Sequence, residues 1–179
     1  MFQDIVEQCK YNDRNAQMAL YSKYSHGMYC VAMRFLKNED DAEDVLQEAF
    51  IKAFHKIGQY KGEVSFGAWL KKIVVNQSLD FLKSKQLKMV ELKEGYMQVA
   101  DDGDWTVDDG ITVEEVMLAI EKLPDKYGQV VQLFLVEGYD HDEISGILGI
   151  SHTASRTRLL RGKGYLKESL KAKGHVTGS

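Results

Sequence analysis

The chain has 179 residues, 44% of them hydrophobic, and a formal net charge of −4, which is enough for one domain of ordinary size or two small ones. No run of about 18 apolar residues occurs, and the first ten residues lack a basic flank before an apolar segment, so we expect no membrane insertion and no secretion signal. Cys9 and Cys30 are the only cysteines. Their surroundings predict buried, reduced thiols in a soluble cytoplasmic protein.

Charge is distributed unevenly along the chain. Residues 1–88 carry 13 Lys and Arg against 11 Asp and Glu, whereas residues 89–115 carry 1 against 9. Residues 116–150 carry 2 against 6, and residues 151–179 carry 7 against 1. Because charges act locally, within a Debye length of about 8–10 Å, the basic C-terminal segment can attract nucleic acid although the whole chain is acidic.

Three helices are predicted before residue 58. A short helix over residues 2–9 precedes a longer one that Asn12 and Asp13 can cap, and Asn38 precedes the clearest amphipathic helix of the chain. Their apolar faces hold Ala16, Leu20, Tyr24, Met28, Val31 and Phe35, and then Ala42, Val45, Leu46, Ala49, Phe50, Ala53, Phe54 and Ile57.

The opposite face of the third helix is acidic near its N-terminus, where the helix dipole favours negative charge. Its residues are Asp40, Asp41, Glu43, Asp44, Gln47 and Glu48. We interpret them as a solvated face, because no histidine or further acid is spaced to complete a catalytic or metal site.

An aromatic and lysine-rich helix is predicted from about Ser65, after the loop at residues 58–65. Rings interleaved with lysines are typical of a platform on which unpaired bases stack, each contributing about 1–3 kcal/mol. An aromatic core with lysines on the surface predicts the same composition, and the residues alone do not separate the two. The residues concerned are Phe66, Trp69, Leu70, Ile73, Val74 and Phe81, with Lys71, Lys72, Lys83 and Lys85.

Residues 89–111 lack sustained periodicity and are rich in Asp and Gly, which predicts a flexible acidic linker between domains at residues 1–88 and 112–179. A calcium loop is excluded there, because acids do not occupy the required positions around either candidate glycine. Thr112 with Glu115 predicts a capping box, and Pro124 fits the first turn of the next helix. With one proline and few alternating apolar runs, the predicted fold class is all-α.

Residues 140–163 have the pattern of a helix-turn-helix. Asp140 with Glu143 can form a second capping box, Gly149 supplies the turn, and Ser151 caps the following helix. That helix is predicted to turn Leu159, Leu160 and Leu166 inward and to leave Arg156, Arg158, Arg161 and Lys163 in water. Arginine matches the acceptor pair of guanine and either cation neutralises phosphate, so this face suits a major groove. Plain packing of an αα-hairpin is the alternative.

Four segments, in this order and spacing, resemble the extracytoplasmic-function sigma factors of bacterial RNA polymerase, and the resemblance covers nearly the whole chain. They are DAEDVLQEAF from Asp41, AWLKKIVVNQSLD from Ala68, LPDKY from Leu123, and the run from Glu137 to Lys163. Three positions depart from the family's usual arginine, valine and alanine. They are Gly128, Ser155 and Gly162, of which the last costs about 1 kcal/mol of helix propensity and bears on where the recognition helix ends.

The resemblance implies a non-enzymatic initiation factor without catalytic residues, cofactor or metal. Its implied partners are core RNA polymerase and promoter DNA, and it leaves open an anti-sigma protein as a third. Docking to core polymerase is implied for Asp44, Gln47 and Glu48. Recognition and opening of the minus-ten element are implied for Tyr60, Lys61, Trp69, Lys71, Lys72 and Asn76. Recognition of the minus-35 element is implied for Arg156, Thr157, Arg158, Arg161 and Lys163.

The positions of Tyr60 and Trp69 in the predicted elements bear on their implied roles. Tyr60 lies in a short loop between helices, a place where a side chain can project toward an unpaired base. Trp69 shares its helix face with Phe66 and Leu70, which favours a core role over that of a wedge. A helix-turn-helix repressor or activator that acts without core polymerase is the alternative function, whereas a hydrolase has no positioned nucleophile or metal set to support it.

Overall fold

The computed structural model of the chain describes residues 2–86, 106–107, 111–172 and 176–177. The chain forms two compact units, Met1–Lys93 and Glu94–Ser179, called here the N-terminal and C-terminal units. The predicted linker falls almost wholly outside the described residues, and its bounds and flexibility stay predictions. The all-α fold class is confirmed, because every described element longer than two residues is helical.

The described part of the N-terminal unit is helical, and the starts of its second and third helices are capped as predicted. Its helices are α1 (Phe2–Lys10), α2 (Arg14–Leu36), α3 (Glu39–Lys56) and α4 (Phe66–Gln86), with a 3-10 turn at Ile57–Gln59. The Asp13 carboxylate accepts hydrogen bonds from the backbone N–H groups of residues 15 and 16, at 2.8 and 3.0 Å. Asn38 Oδ1 accepts one from the N–H of residue 41 at 2.9 Å. These caps satisfy N–H groups that have no partner inside the helix.

Helices α2, α3 and α4 pack against one another and bury the apolar faces expected from their periodicity. Tyr24 of α2 and Phe54 of α3 are only half-buried, and so are Trp69, Ile73 and Phe81 on the apolar face of α4. Ser78 is buried as well, and its hydroxyl donates to the carbonyl oxygen of Val74 at 2.9 Å, which satisfies a polar group in the core.

The C-terminal unit is built from short helices around one long one. Its elements are β1 (Thr106–Val107), α5 (Val113–Glu121), α6 (Asp125–Val131), a π-helical segment (Gln132–Val136), α7 (His141–Leu148), α8 (His152–Lys171) and β2 (Val176–Thr177). The two strands pair antiparallel, residue 106 with 177 and 107 with 176. Both predicted capping boxes are present, at Thr112 with Glu115 and at Asp140 with Glu143. Pro124 lies one position earlier than predicted, at the N-cap of α6.

Helix α8 continues through Gly162, although glycine weakens a helix interior. Gly162 is buried against α6, and a Cβ atom built there would overlap Val131 Cγ2 and lie 3.4 Å from the carbonyl oxygen of Tyr127. The missing side chain therefore allows α6 and α8 to approach closely. Beyond Gly162, Leu166 and Leu170 are buried, so packing accompanies the helix as far as Lys171 despite the lower helix propensity of glycine.

The two cysteines are free and differ in environment. Cys9 is fully buried, and burial, followed by the nearby Asp13 carboxylate, raises the pKa of its thiol. Cys30 is only half-buried, contrary to expectation, with its Sγ 4.0 Å from His26 Nε2. Among the described helices, none combines the length and apolarity that a membrane crossing requires.

Candidate polymerase and nucleic-acid interfaces

The acidic face of α3 lies in solvent. Asp44, Gln47 and Glu48 are all exposed, opposite the buried stripe of the same helix, as the 3.6-residue period predicted. Asp41 differs from them, because its Oδ2 lies 2.9 Å from Lys85 Nζ of α4 and so joins two helices. The exposed acids are therefore available for a partner, whereas Asp41 has an internal role.

Ile51 extends this exposed face and was missed by the sequence reasoning. It follows Gln47 by four residues and Glu48 by three, spacings that place side chains on one side of a helix, and it is 60% exposed. The signal was present, since Ile51 is an aliphatic residue outside the apolar stripe. The face consequently offers acids and amide together with one apolar group.

The predicted minus-ten residues Tyr60 and Trp69 belong to an aromatic cluster. The Tyr60 ring centroid lies 5.7 Å from that of Phe66, edge to face, and 5.4 Å from that of Trp69. Phe66 and Trp69 lie 5.6 Å apart, and Tyr24 of α2 approaches Phe66 at 5.4 Å. We call Tyr24, Tyr60, Phe66 and Trp69 the aromatic cluster.

Tyr60 is held inside this cluster at both ends of its side chain. Its ring packs as described, and its hydroxyl donates a hydrogen bond of 2.7 Å to the carbonyl oxygen of Val64. In this structure the loop folds back on α4 and Tyr60 is half-buried, so its projection toward an unpaired base stays a prediction. Trp69 is half-buried, so it packs against the cluster and also presents part of its ring to solvent.

Trp69, Lys72 and Asn76 share one stripe of α4, since they follow one another at intervals of three and four residues. Lys72 is exposed and Asn76 is half-buried. Lys61 is exposed in the preceding loop, and Lys71 is half-buried away from the stripe. The structure thus brings an aromatic ring, a cation and an amide onto one surface, with Lys71 at its side.

Helix α8 presents a preformed polar face. The Ser151 hydroxyl accepts a hydrogen bond from the N–H of Ala154 at 3.1 Å, and Gly149 supplies the left-handed turn before it, with φ of 65°. Arg156, Thr157 and Arg161 are exposed. The remaining predicted contacts, Arg158 and Lys163, are half-buried at the borders of the face.

Leu160 corrects one prediction about this helix. Leu159 and Leu166 are buried as expected, whereas Leu160 is 44% exposed. The buried stripe of α8 instead includes Ser155, with its small side chain, and Gly162, which has none, and both allow close packing. Because these positions already cover the side of α8 that faces its neighbours, Leu160 falls on the outer side, with Arg156 and Thr157.

His141, on α7, connects the two helices of the helix-turn-helix through a contact with Ser155 of α8. His141 Nδ1 lies 2.9 Å from the hydroxyl oxygen of the fully buried Ser155, and the His141 ring stacks on Phe134 at 4.9 Å. A buried hydroxyl needs a partner, and His141 is that partner. The serine that departs from the family's usual valine is thereby accounted for by a residue on α7.

The electrostatic surroundings favour the neutral form of this histidine. Burial lowers the pKa of His141, and the neighbouring His152 and Arg156 lower it further, while Asp140 and Asp142 oppose part of the shift. The ring of His152 meets that of His141 edge-on at 5.5 Å.

These features define a two-unit, all-α DNA-binding protein with a helix-turn-helix in its second unit. The Sigma-70 region 2 family model matches residues 20–87, and the Sigma-70, region 4 model matches residues 113–166. The chain is 31% identical to the ECF RNA polymerase sigma factor SigW of Bacillus subtilis over 96% of this chain and 97% of that protein. It is 26% identical to the RNA polymerase sigma-H factor of Pseudomonas aeruginosa over 94% and 93%.

The fold is also found among solved structures. The sigma factor RpoE of Bartonella quintana, solved in complex with the anti-sigma factor NepR, matches with a TM-score of 0.59 at 18% identity, over 86% of this chain and 96% of that one. The chain belongs to the ECF family of RNA polymerase sigma factors. Its function is to direct promoter-specific transcription initiation by RNA polymerase, and a repressor that acts without polymerase is not favoured.

Proposed function

We propose that three surfaces of this chain have separate roles in initiation. The chain acts as a non-enzymatic specificity factor, and the polymerase carries out all of the chemistry. It acts in the cytoplasm, where polymerase and promoters are. The observation that carries the proposal is the match of both sigma regions, in order, in one chain. The roles of individual residues rest on their exposure and contacts.

The first surface is the exposed face of α3, which we assign to core polymerase. Asp44, Gln47 and Glu48 can pair with cations and hydrogen-bond donors of a partner, and Ile51 can be buried at the same contact. Interfaces combine an apolar centre with a polar rim, which this face provides on a small scale. Charge reversal here should weaken docking without unfolding the protein, because exposed acids contribute little to stability.

The second surface is the Trp69, Lys72 and Asn76 stripe with the aromatic cluster, which we assign to the minus-ten element. Unpaired bases need a ring to stack on and a polar group that can hydrogen-bond with an exposed edge. Tyr60 and Trp69 supply the rings, and Asn76 the amide. The backbone would be held by Lys61, Lys71 and Lys72.

The third surface is the outer face of α8, which we assign to the minus-35 element. The exposed Arg156, Thr157 and Arg161 suit base edges, whereas the half-buried Arg158 and Lys163, at the borders, suit phosphates. An anti-sigma protein is a further partner in this proposal. Its support is the fold shared with a sigma factor solved in complex with one.

Reconstitution tests the proposal. The chain should co-purify with core polymerase, and transcripts made from genomic DNA by that complex should begin at defined positions preceded by two shared elements. Duplex DNA binding of equal sequence preference without core enzyme would instead support the repressor.

Matched charge reversals test the docking face. Asp44→Lys and Glu48→Lys should reduce co-purification with core polymerase at an unchanged melting temperature. Asp80→Lys, at an exposed acid of α4 outside that face, serves as the control and should dock normally. Equal docking by all three variants would exclude the α3 face.

A further inference from the structure

Leu160 is an apolar side chain in the middle of a polar, DNA-facing surface. It follows Arg156 by four residues and Thr157 by three, which places it beside them on one side of the helix. Because a helix turns by about 100° per residue, the direction of Leu160 falls between those of Arg156 and Arg161. It is 44% exposed. The core of the C-terminal unit is closed on the other side of α8 by Leu159, so Leu160 is not needed there.

Thr157 gives an independent indication of the same chemistry. Its hydroxyl donates a hydrogen bond of 2.9 Å to the carbonyl oxygen of Thr153, so its proton is already used within the helix. What remains for a base is the acceptor side of that hydroxyl and a methyl group. Thr157 in this state cannot donate to the guanine acceptors, whereas apolar contact with a thymine methyl group stays open to it.

The largest apolar group on the major-groove edge of a base pair is the 5-methyl group of thymine. A leucine facing the other edges would cover hydrogen-bonding atoms without replacing their bonds with water, which is unfavourable. A thymine methyl against Leu160 instead removes two apolar surfaces from water.

We propose that Leu160, with the methyl group of Thr157, is a specificity-determining contact that recognises a thymine methyl group in the minus-35 element, between the base pairs read by Arg156 and Arg161. This inference rests on the proposed assignment of α8 to that element. It adds an apolar readout to a face whose other side chains read by charge and hydrogen bonds.

Removing single methyl groups from DNA tests the contact. Promoter fragments taken from the mapped transcripts would carry deoxyuridine in place of each minus-35 thymine in turn, on either strand, which removes the 5-methyl group and nothing else. Holoenzyme of the full chain should lose about fourfold in affinity at one thymine, the equivalent of one buried methyl group.

The variants assign that loss to the side chain. Leu160→Ala should weaken binding to the thymine promoter by about the same factor, and deoxyuridine at the sensitive position should then cause no further loss. Leu118→Ala is the matched control, because Leu118 is 50% exposed on α5 of the same unit. The Leu118→Ala protein should still lose about fourfold in affinity when deoxyuridine replaces the sensitive thymine. The Arg161→Ala protein should bind both DNAs more weakly but show the same loss on that replacement.

The outcomes separate this inference from the function on which it rests. If the holoenzyme initiates at mapped promoters but no minus-35 thymine is sensitive, or Leu160→Ala keeps the wild-type penalty, the methyl contact is refuted and the function stands. If the chain supports no promoter-directed transcription with core polymerase, the assignment of α8 fails and the inference falls with it.

Discussion

The two surfaces assigned to DNA differ in how ready they are to bind. On α8 the side chains assigned to bases are already exposed on a capped helix whose back is packed against its own unit. At the start of α4 the ring assigned to base capture is engaged with Phe66, Trp69 and the Val64 carbonyl. The first surface can meet a duplex as it is, whereas on the second we expect Tyr60 to leave these contacts when it captures a base.

The magnitudes of these contacts lead us to expect that the second surface does not act alone. Each aromatic pair contributes about 0.5–1.5 kcal/mol beyond its buried area, and the hydroxyl bond a further net 0.5–1.5 kcal/mol or so. Stacking of Tyr60 on a base contributes about 1–3 kcal/mol of binding free energy. Moving Tyr60 from its own cluster to a base is therefore close to balanced, and small additional contacts from Asn76, the lysines or polymerase decide its direction.

The largest effect on promoter opening is expected from substitutions of Tyr60. Tyr60→Ala removes the ring and should reduce strand opening at the minus-ten element about tenfold to a hundredfold. Tyr60→Phe keeps the ring and frees it from Val64, so it should open as well as wild type or better. Permanganate reactivity of minus-ten thymines measures both.

Asn76→Ala should reduce opening without affecting docking to core polymerase, and a pre-melted bubble template should restore initiation by all deficient variants. If the Tyr60→Ala protein opened the minus-ten element as well as wild type, Tyr60 would not be the residue that captures the base. Slower opening by Tyr60→Phe would mean that the Val64 bond helps capture and does not hold the ring back.

The next largest effect is expected on α8, whose side chains assigned to DNA are already at the surface. Arg156→Ala should cost about 1–3 kcal/mol and relax sequence preference at one base pair. Lys163→Ala should weaken all sequences alike and reduce the salt dependence of binding, since a phosphate contact carries no sequence information. Identical sequence profiles and salt slopes for the two variants would contradict this division of roles.

A smaller effect, on the free energy of unfolding, is expected from two glycine substitutions, one in the packed side of α8 and one in the packed side of α4. Gly162→Ala places a Cβ against Val131, a buried and stiff side chain, so overpacking of about 1–3 kcal/mol should outweigh the gain in helix propensity. Gly67→Ala meets the half-buried Tyr24 ring at 3.1 Å, which can shift, so the gain of about 1 kcal/mol should roughly offset the contact.

Denaturant unfolding of the full chain compares the two glycine variants. Val131→Ala should make Gly162→Ala better tolerated, because it removes the methyl group in the way. Equal stability of the Gly67→Ala and Gly162→Ala proteins would show that α6 and α8 adjust more freely than their packing implies.

The smallest effect is a pH dependence confined to the C-terminal unit. The pKa of His141 is lowered from its ordinary value of 6.5, chiefly by burial. As pH falls below that value, the unfolded chain takes up the proton first, so the stability that neutral His141 contributes is lost toward acid pH. Replacing both partners, His141→Phe with Ser155→Ala, should flatten the dependence, which thermal melts between pH 7 and pH 5 would measure.

Local sequence was sufficient wherever the determining interactions lie within one turn of helix. The caps at Asp13, Asn38 and Ser151 and the two capping boxes follow from residues a few positions apart, and all are present. The exposure of Asp44, Gln47 and Glu48 follows from the helix period alone. The family also follows from the sequence, because four spaced segments carry it.

Tertiary structure decided the positions whose neighbours are distant in sequence. Leu160 faces outward because Ser155 and Gly162 already fill the side of α8 that packs, and Gly162 is tolerated because Val131 occupies the space of its missing Cβ. Tyr60 is held because α4 brings Trp69 beneath its loop. A hydrophobic pattern states which residues can be buried, but which of them are buried depends on the shape of the partner surface, and that exists only once the chain has folded.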